Sequence, residues 1–228
     1  IAPHSKVTFE FEFNGQMPLQ IRRNGRDNSE GIEYSMSQWY PKMCVYDRDG
    51  WHPDLYVARE FYGDFGRFEV NVTADASFVL GGTGVLQNPS EIGHGYSDTP
   101  VKHKKKSRIT WRFAADNVHD FAWTADPTYR IGEVEWNGVK CVAIAQENNA
   151  AGWQQTAAFT AKVIATYSRD FGMYNYPKIV CADAADGMEY PMITLDGGYY
   201  PSHQSLIAHE VGHNWFFGMV GSNETYRA

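Results

Sequence analysis

Residues 202–217 read Ser-His-Gln-Ser-Leu-Ile-Ala-His-Glu-Val-Gly-His-Asn-Trp-Phe-Phe, and the run His209-Glu210-Val211-Gly212-His213 within them decides how the rest of the chain is read. Pro201 and Ser202 stand where a helix begins, with Ser202 as its N-cap, and the helix is expected to reach about Phe217. Side chains four apart on a helix share one face, so His209 and His213 can grip one metal ion. Imidazole nitrogen suits zinc, and a catalytic zinc takes three protein ligands plus a water whose pKa it brings toward neutrality. Glu210 is then the general base, taking a proton as the water attacks a carbonyl and returning it to the leaving amine. Chance produces such a match in on the order of one chain in a hundred of this length, and buried histidines four apart are hard to justify without a metal.

Outward from this helix the pattern is mixed. A hairpin is expected around Asn137-Gly138, followed by an apolar strand over 141–145. Trp153, Ala157, Ala161, Ile164, Tyr167 and Phe171 recur at helical spacing, with Gly172 as the C-terminal glycine. Strand-like segments over 178–182 and 190–195 precede Gly197-Gly198. Further upstream, Val7, Phe9, Phe11 and Phe13 alternate with polar residues before Asn14-Gly15. Phe68, Val70 and Val72 repeat the alternation, residues 77–80 lead into Gly81-Gly82, and Ile109, Trp111 and Phe113 repeat it again. The expected fold class is therefore α+β with two domains: a β-sandwich over 1–130 and a mixed domain over 131–228.

The 228 residues are 43% hydrophobic and carry a formal net charge of −7, a balance that excludes both a disordered acidic tail and a basic nucleic-acid surface. Small molecules or peptides are the expected partners. No apolar run reaches the length of a membrane span, so a soluble chain is expected; it opens on Ile1, and a removed signal segment with export or a periplasmic address is the lean. Oligomeric state is left open. Cys44, Cys141 and Cys181 lack metal-site spacing and read as small buried hydrophobes, with a disulfide between two of them as the alternative. Lys102, Lys104, Lys105, Lys106 and Arg108 read as a solvated hairpin tip. His119-Asp120 has no serine or cysteine motif to serve and reads as a structural polar pair.

About twenty residues before the histidine pair stands Asp186-Gly187-Met188-Glu189-Tyr190-Pro191. Together with His209 to His213 and Asn214-Trp215-Phe216, it resembles the zinc aminopeptidase family of aminopeptidase N and leukotriene hydrolase, the gluzincins. Gln38-Trp39-Tyr40-Pro41 and Glu60-Phe61-Tyr62 are similar to that family's amino-terminal β-domain, so the resemblance spans nearly the whole chain. It implies that the second domain is the first part of a thermolysin-like zinc peptidase domain and that the sandwich lacks its first strands. It also implies one zinc ion held by His209 and His213, with Glu210 as general base. Glu189 would bind the α-ammonium of a peptide with a free N-terminus, and the strand through Gly187 and Met188 would lie along the substrate backbone. A carboxylate at a fixed distance from the metal would bring only the first peptide bond to the activated water, which is aminopeptidase chemistry.

The chain departs from the family pattern at Asp186, in place of the motif's first glycine, and at Tyr190, in place of its asparagine. Tyr40 takes the place of a Gln or Glu often contributed to the amine site. The family's third ligand, a glutamate, falls about four positions past Ala228, and its oxyanion tyrosine lies further on. Glu224 comes too soon to match the spacing. A chain of this extent is expected to bind zinc weakly and to be nearly inactive. The alternatives are a related zinc hydrolase, either an endopeptidase or an epoxide hydrolase, and a family member that has lost turnover and serves as a binding module; Glu189 argues against the endopeptidase, and the intact His209, Glu210 and His213 against the module.

Overall fold

The structure, a computed structural model, describes residues 4–227. Its first part is built from short strands: β1 (Gly25–Arg26), β2 (Tyr34–Met36), β3 (Tyr46–Asp47), β4 (Gly50–Trp51), β5 (Gly66–Asp75), β6 (Val79–Gly82) and β7 (Val85–Leu86). A single helical turn, α1 (Pro89–Ile92), precedes β8 (Arg108–Val118) and β9 (Trp123–Asp126). They form a four-stranded sheet in the order β1-β2-β9-β6, a three-stranded sheet β5-β8-β7 and the separate hairpin β3-β4. The alternation read at Phe68, Val70 and Val72 and at Ile109, Trp111 and Phe113 runs along β5 and β8, which pair antiparallel. One apolar cluster takes Val72, Trp111 and Phe113 from the three-stranded sheet and Leu80 and Ala125 from the other.

Two expectations for this part fail. Residues 5–18 form no strand, and Val7, Phe9, Phe11 and Phe13 are all exposed. Alternation creates a face, but a strand persists only on a ladder, and among the described residues Val7 to Phe13 belong to no ladder. The lysine-rich run is exposed, as expected, yet it sits in the long loop between α1 and β8 and not on a hairpin tip.

The second part begins with β10 (Tyr129–Trp136) and β11 (Val139–Gln146), a hairpin turning at Asn137 and Gly138 with φ of 48° and 79°. Both angles fit a type I′ turn, which needs residues that tolerate positive φ. After α2 (Ala150–Trp153) and α3 (Thr156–Phe171) come β12 (Lys178–Asp183), β13 (Gly187–Tyr190), β14 (Ile193–Asp196), α4 (Gln204–Gly212) and α5 (Glu224–Arg227). The sheet order is β10-β11-β12-β14-β13, with β11, β12 and β14 parallel and the edge strands antiparallel. The parallel strands are buried on both faces, which accounts for their nearly unbroken apolar sequences. On one face Cys141, Ala143, Ile179 and Cys181 pack against Ala157 and Ile164 of α3 and Ile207 and Val211 of α4. On the other, Val142, Ile144 and Val180 pack against Val79 of β6 and Ile32. The protein is thus mixed α+β, mostly sheet, and among the described residues no helix is long and apolar enough to cross a membrane.

Four local expectations are corrected. The helix expected over 153–171 is two segments, although Gln154 and Gln155 keep helical dihedrals between them, and Phe171 at its end is exposed. The apolar run 190–195 is not one strand: Tyr190 and Ile193 face each other across a turn at Pro191 and Met192, where Met192 has φ of 63°. Proline followed by a positive φ is a type II turn, which folds the run back on itself. Ser202 caps no helix; its hydroxyl donates to Tyr199 O at 2.7 Å, and α4 begins after His203 and ends at Gly212. Cys44 is exposed, whereas Cys141 and Cys181 are buried as expected, and all three are free thiols.

Candidate metal centre

Helix α4 is fixed from beneath and from its start. Ile207 and Val211 are fully buried against the sheet. His203, just before the helix, stacks on Trp153 with ring centroids 5.0 Å apart, and its Nε2 meets Thr156 Oγ1 at 3.0 Å. Burial lowers the pKa of His203, in keeping with a neutral ring in that packing. With one face held down, the opposite face presents His209 and His213; His209 is exposed and His213 half-buried, so the expectation of a buried histidine pair fails. Their Nε2 atoms are 3.2 Å apart and their rings are nearly perpendicular, at 89°. Two ligands of one tetrahedral ion with metal–nitrogen bonds of about 2.0–2.1 Å would be about 3.3 Å apart, so the pair is spaced for a shared cation.

His213 stands at the end of the helix, and its Nδ1 lies 3.3 Å from Phe216 O. With the proton on Nδ1 donated to that carbonyl, Nε2 keeps its lone pair free on the side facing His209, the arrangement that orients a ligating imidazole. The chain then turns sharply, with Gly218 N–H donating to His213 O at 2.8 Å. Glu210 is buried on the sheet side of the pair, with Glu189 as a polar neighbour of its carboxyl. Ligand atoms of His209, Glu210 and His213 all fall within 4.8 Å of one another.

Strand β13 brings the second motif to this place. Gly187 packs directly on Glu210 Oε1, and a Cβ there would also approach Leu206 Cδ1 to 2.8 Å. Glu189, two residues along and on the same side of the strand, is buried with its Oε1 3.9 Å from His213 Nδ1. Met188 points the other way, into the core between the sheets. β13 is the edge of its sheet, bonded to β14 on one side only. Burial raises the pKa of Glu189, with His213 opposing it; burial followed by the charges of Glu189 and Asp196 raises that of Glu210. Two buried carboxyls side by side favour keeping a proton between them.

The departures from the expected motif acquire local reasons. Asp186 has φ of 76°, the left-handed region that favours glycine and that Asp tolerates better than most residues. Tyr190 is buried in the core. Tyr40 does not reach the site: its hydroxyl donates to Asp120 Oδ1 at 2.8 Å, in a cluster where Gln38 Nε2 and Lys42 Nζ also meet Asp120. His119-Asp120 is accordingly a buried structural pair, placed just past the end of β8.

Three charged groups, Arg23, Glu60 and Glu224, lie in the electrostatic surroundings of the site, where the sequence does not place them; Glu224 stands out in it only as a metal ligand at the wrong spacing. Arg23 forms an ion pair with Glu60, and both act electrostatically on Glu189. Glu224 belongs to the same field: burial and the charge of Glu189 push its carboxyl up to about 7, with His213 opposing. It is not among the clustered ligand atoms. Thr225 Oγ1 donates to Glu60 O at 3.2 Å, which ties α5 to the segment carrying Glu60. Arg23 and Glu60 come from positions far from both motifs in the chain, so no local spacing signals them. No family model matches the chain, and no curated protein matches it.

Proposed function

We propose that this chain carries the metal-binding and amine-anchoring part of a zinc aminopeptidase, acting on the first peptide bond of peptides with a free N-terminus. The observation that carries the reading is the convergence of two motifs separate in sequence, with Glu189 and Gly187 of β13 against His213 and Glu210. An accidental HExxH helix has no reason to meet a buried carboxylate there. In this reading β-sandwich residues 1–130 precede the first part of a thermolysin-like domain over 131–228, and His209 and His213 supply two zinc ligands. Zinc, when bound, is a Lewis acid that polarises a carbonyl and acidifies water. Glu210 takes a proton from the attacking water and delivers it to the leaving amine. Glu189 holds the substrate ammonium at a fixed distance from Glu210, and the free edge of β13 accepts the substrate backbone as an added strand.

The test is hydrolysis of aminoacyl-arylamides, free and acetylated at the amino group, with and without a chelator, by the protein extended through the third ligand the resemblance implies. Cleavage confined to free amines and abolished by chelation is the expected result. Equal cleavage of acetylated substrates would overturn the aminopeptidase reading in favour of an endopeptidase, and activity indifferent to chelation would overturn zinc.

A further inference from the structure

On the other side of the five-stranded sheet from α4, a cavity of about 270 Å³ opens where β6, β7 and β8 approach β10, β11 and β12. Leu80, Leu86, Phe113, Ile131, Val142 and Val180 give it apolar walls. Lys178 lines the same cavity. Its Nζ donates to Gly82 O at 2.7 Å and lies 5.6 Å from the centroid of the Phe113 ring. An ammonium has three donors, and among the described residues no carboxylate comes within 4.0 Å of this one. Glu133, the one acid on the cavity lining, is engaged by Lys140 at 3.4 Å. Tyr96, also on the lining, is half-buried beside the Leu80 backbone.

An amine among apolar side chains without a counter-ion is costly in its charged form. Burial correspondingly pushes the Lys178 pKa down to about 7. A carboxylate entering the cavity would restore the charged state and take up the spare donors, while an amine or a metal cation would be repelled by it. The apolar walls select against small inorganic anions, which gain nothing from them. The volume, on the order of nine waters, admits a short chain or one side chain.

We propose that this cavity is a second ligand site, independent of the metal centre, for a molecule carrying a carboxylate beside an apolar group, with the carboxylate on Lys178 Nζ and the apolar part against Leu80, Phe113 and Val142. Such chemistry occurs in short aliphatic acids and in the C-terminal end of a peptide with an apolar last residue. Hexanoate and N-acetyl-leucine represent the two.

Titration calorimetry of the 228-residue chain at pH 7 with hexanoate, N-acetyl-leucine and hexanol tests this. At least one carboxylate should bind with one-to-one stoichiometry, at least tenfold more tightly than hexanol, and the better of the two identifies the source. Lys178→Met should weaken carboxylate binding at least tenfold and leave hexanol within twofold. Leu86→Trp, which fills the cavity and keeps the lysine, should abolish it and serves as the decisive variant if Lys178→Met fails to fold. Binding should also weaken at least tenfold between pH 7 and pH 9, since a carboxylate needs the charged amine. Glu133, Lys140 and Tyr96 are the other titratable groups on the lining, and Lys140→Met should leave this profile unchanged. Absence of carboxylate binding, equal binding of hexanol, or binding that survives either Lys178→Met or Leu86→Trp would overturn the proposal.

Discussion

Gly187 of β13 and Glu210 of α4 are in direct contact, and the missing Cβ of the glycine is what makes room for the glutamate carboxylate. A methyl group at Gly187 would strike Glu210 Oε1 and come within 2.8 Å of Leu206 Cδ1. Both obstacles are side-chain ends, so Gly187→Ala should fold with Glu210 and Leu206 displaced. The expected cost is about 1–3 kcal/mol in urea unfolding, the range for overpacking. Zinc affinity through His209 and His213 should change less than twofold, because neither imidazole touches Gly187. An unaltered unfolding midpoint would mean that the two elements part more easily than their packing indicates.

Asn214 ties the two motifs together. It is buried, and its Oδ1 accepts from Met192 N–H at 3.0 Å and from the Tyr174 hydroxyl at 3.3 Å. The first of these bonds reaches the turn between β13 and β14 from the residue directly after His213. Asn214→Ala leaves a buried backbone N–H unpaired, which costs about 1–3 kcal/mol. Urea unfolding should register that loss, and a loss below about 0.5 kcal/mol would show that the Met192 N–H finds another partner.

What could be read in advance follows from how far each signal extends along the chain. His209, Glu210 and His213 owe their arrangement to one helix, and Gly187 and Glu189 to one strand, so spacing alone places each set. The parallel strands announce themselves as apolar runs because both of their faces are covered. The alternation from Val7 to Phe13 is equally regular, yet a strand needs a partner that no local pattern can guarantee. The hairpin at Pro191 and Met192 hid inside an apolar run, though proline was its signal. Arg23 and Glu60 approach Glu189 through tertiary packing of segments well over a hundred positions away, and periodicity is blind to that; Glu224 stands out only as a ligand at the wrong spacing.

His119 makes stability depend on pH. The ring is buried between Phe65 and Phe217, and burial, aided by Lys42 and opposed by Asp120, lowers its pKa from 6.5 to about 4. Between those values the unfolded chain takes up a proton that the folded chain refuses, so the ring's own contribution to stability is complete above pH 6.5 and is lost as the pH drops toward 4. The loss should be on the order of 2–3 kcal/mol across the window. Asp120 does not confuse the reading. Burial works to raise its carboxyl, but Lys42 and the hydrogen bonds hold it below 3.8, so its contribution is lost only under more acid conditions. Buried Asp196 and half-buried Glu224, both pushed up to about 7, act in the opposite sense in the same window, so the test is the difference between two proteins. His119→Phe should gain that amount of stability relative to the unsubstituted chain from pH 6.5 to pH 4, and a difference that does not change with pH would overturn the assignment.

Glu189 gives the sharpest separation between anchoring and mere positioning. If its carboxylate holds the substrate ammonium, Glu189→Gln in the protein extended through the third ligand keeps the shape of the site and removes a charge-assisted hydrogen bond worth about 1.5–3 kcal/mol, or roughly 10- to 150-fold in kcat/KM. The loss should fall on substrates with a free amine and spare acetylated ones, so the preference between them collapses. Zinc affinity should hold within twofold, since Glu189 Oε1 stands 3.9 Å from the Nδ1 of His213 and not on its Nε2. An equal loss on both substrates would instead assign Glu189 the task of setting the protonation and orientation of its buried neighbour Glu210. In that case recognition of the amine would have to come from Glu60 or Glu224, the other carboxylates in the same electrostatic field.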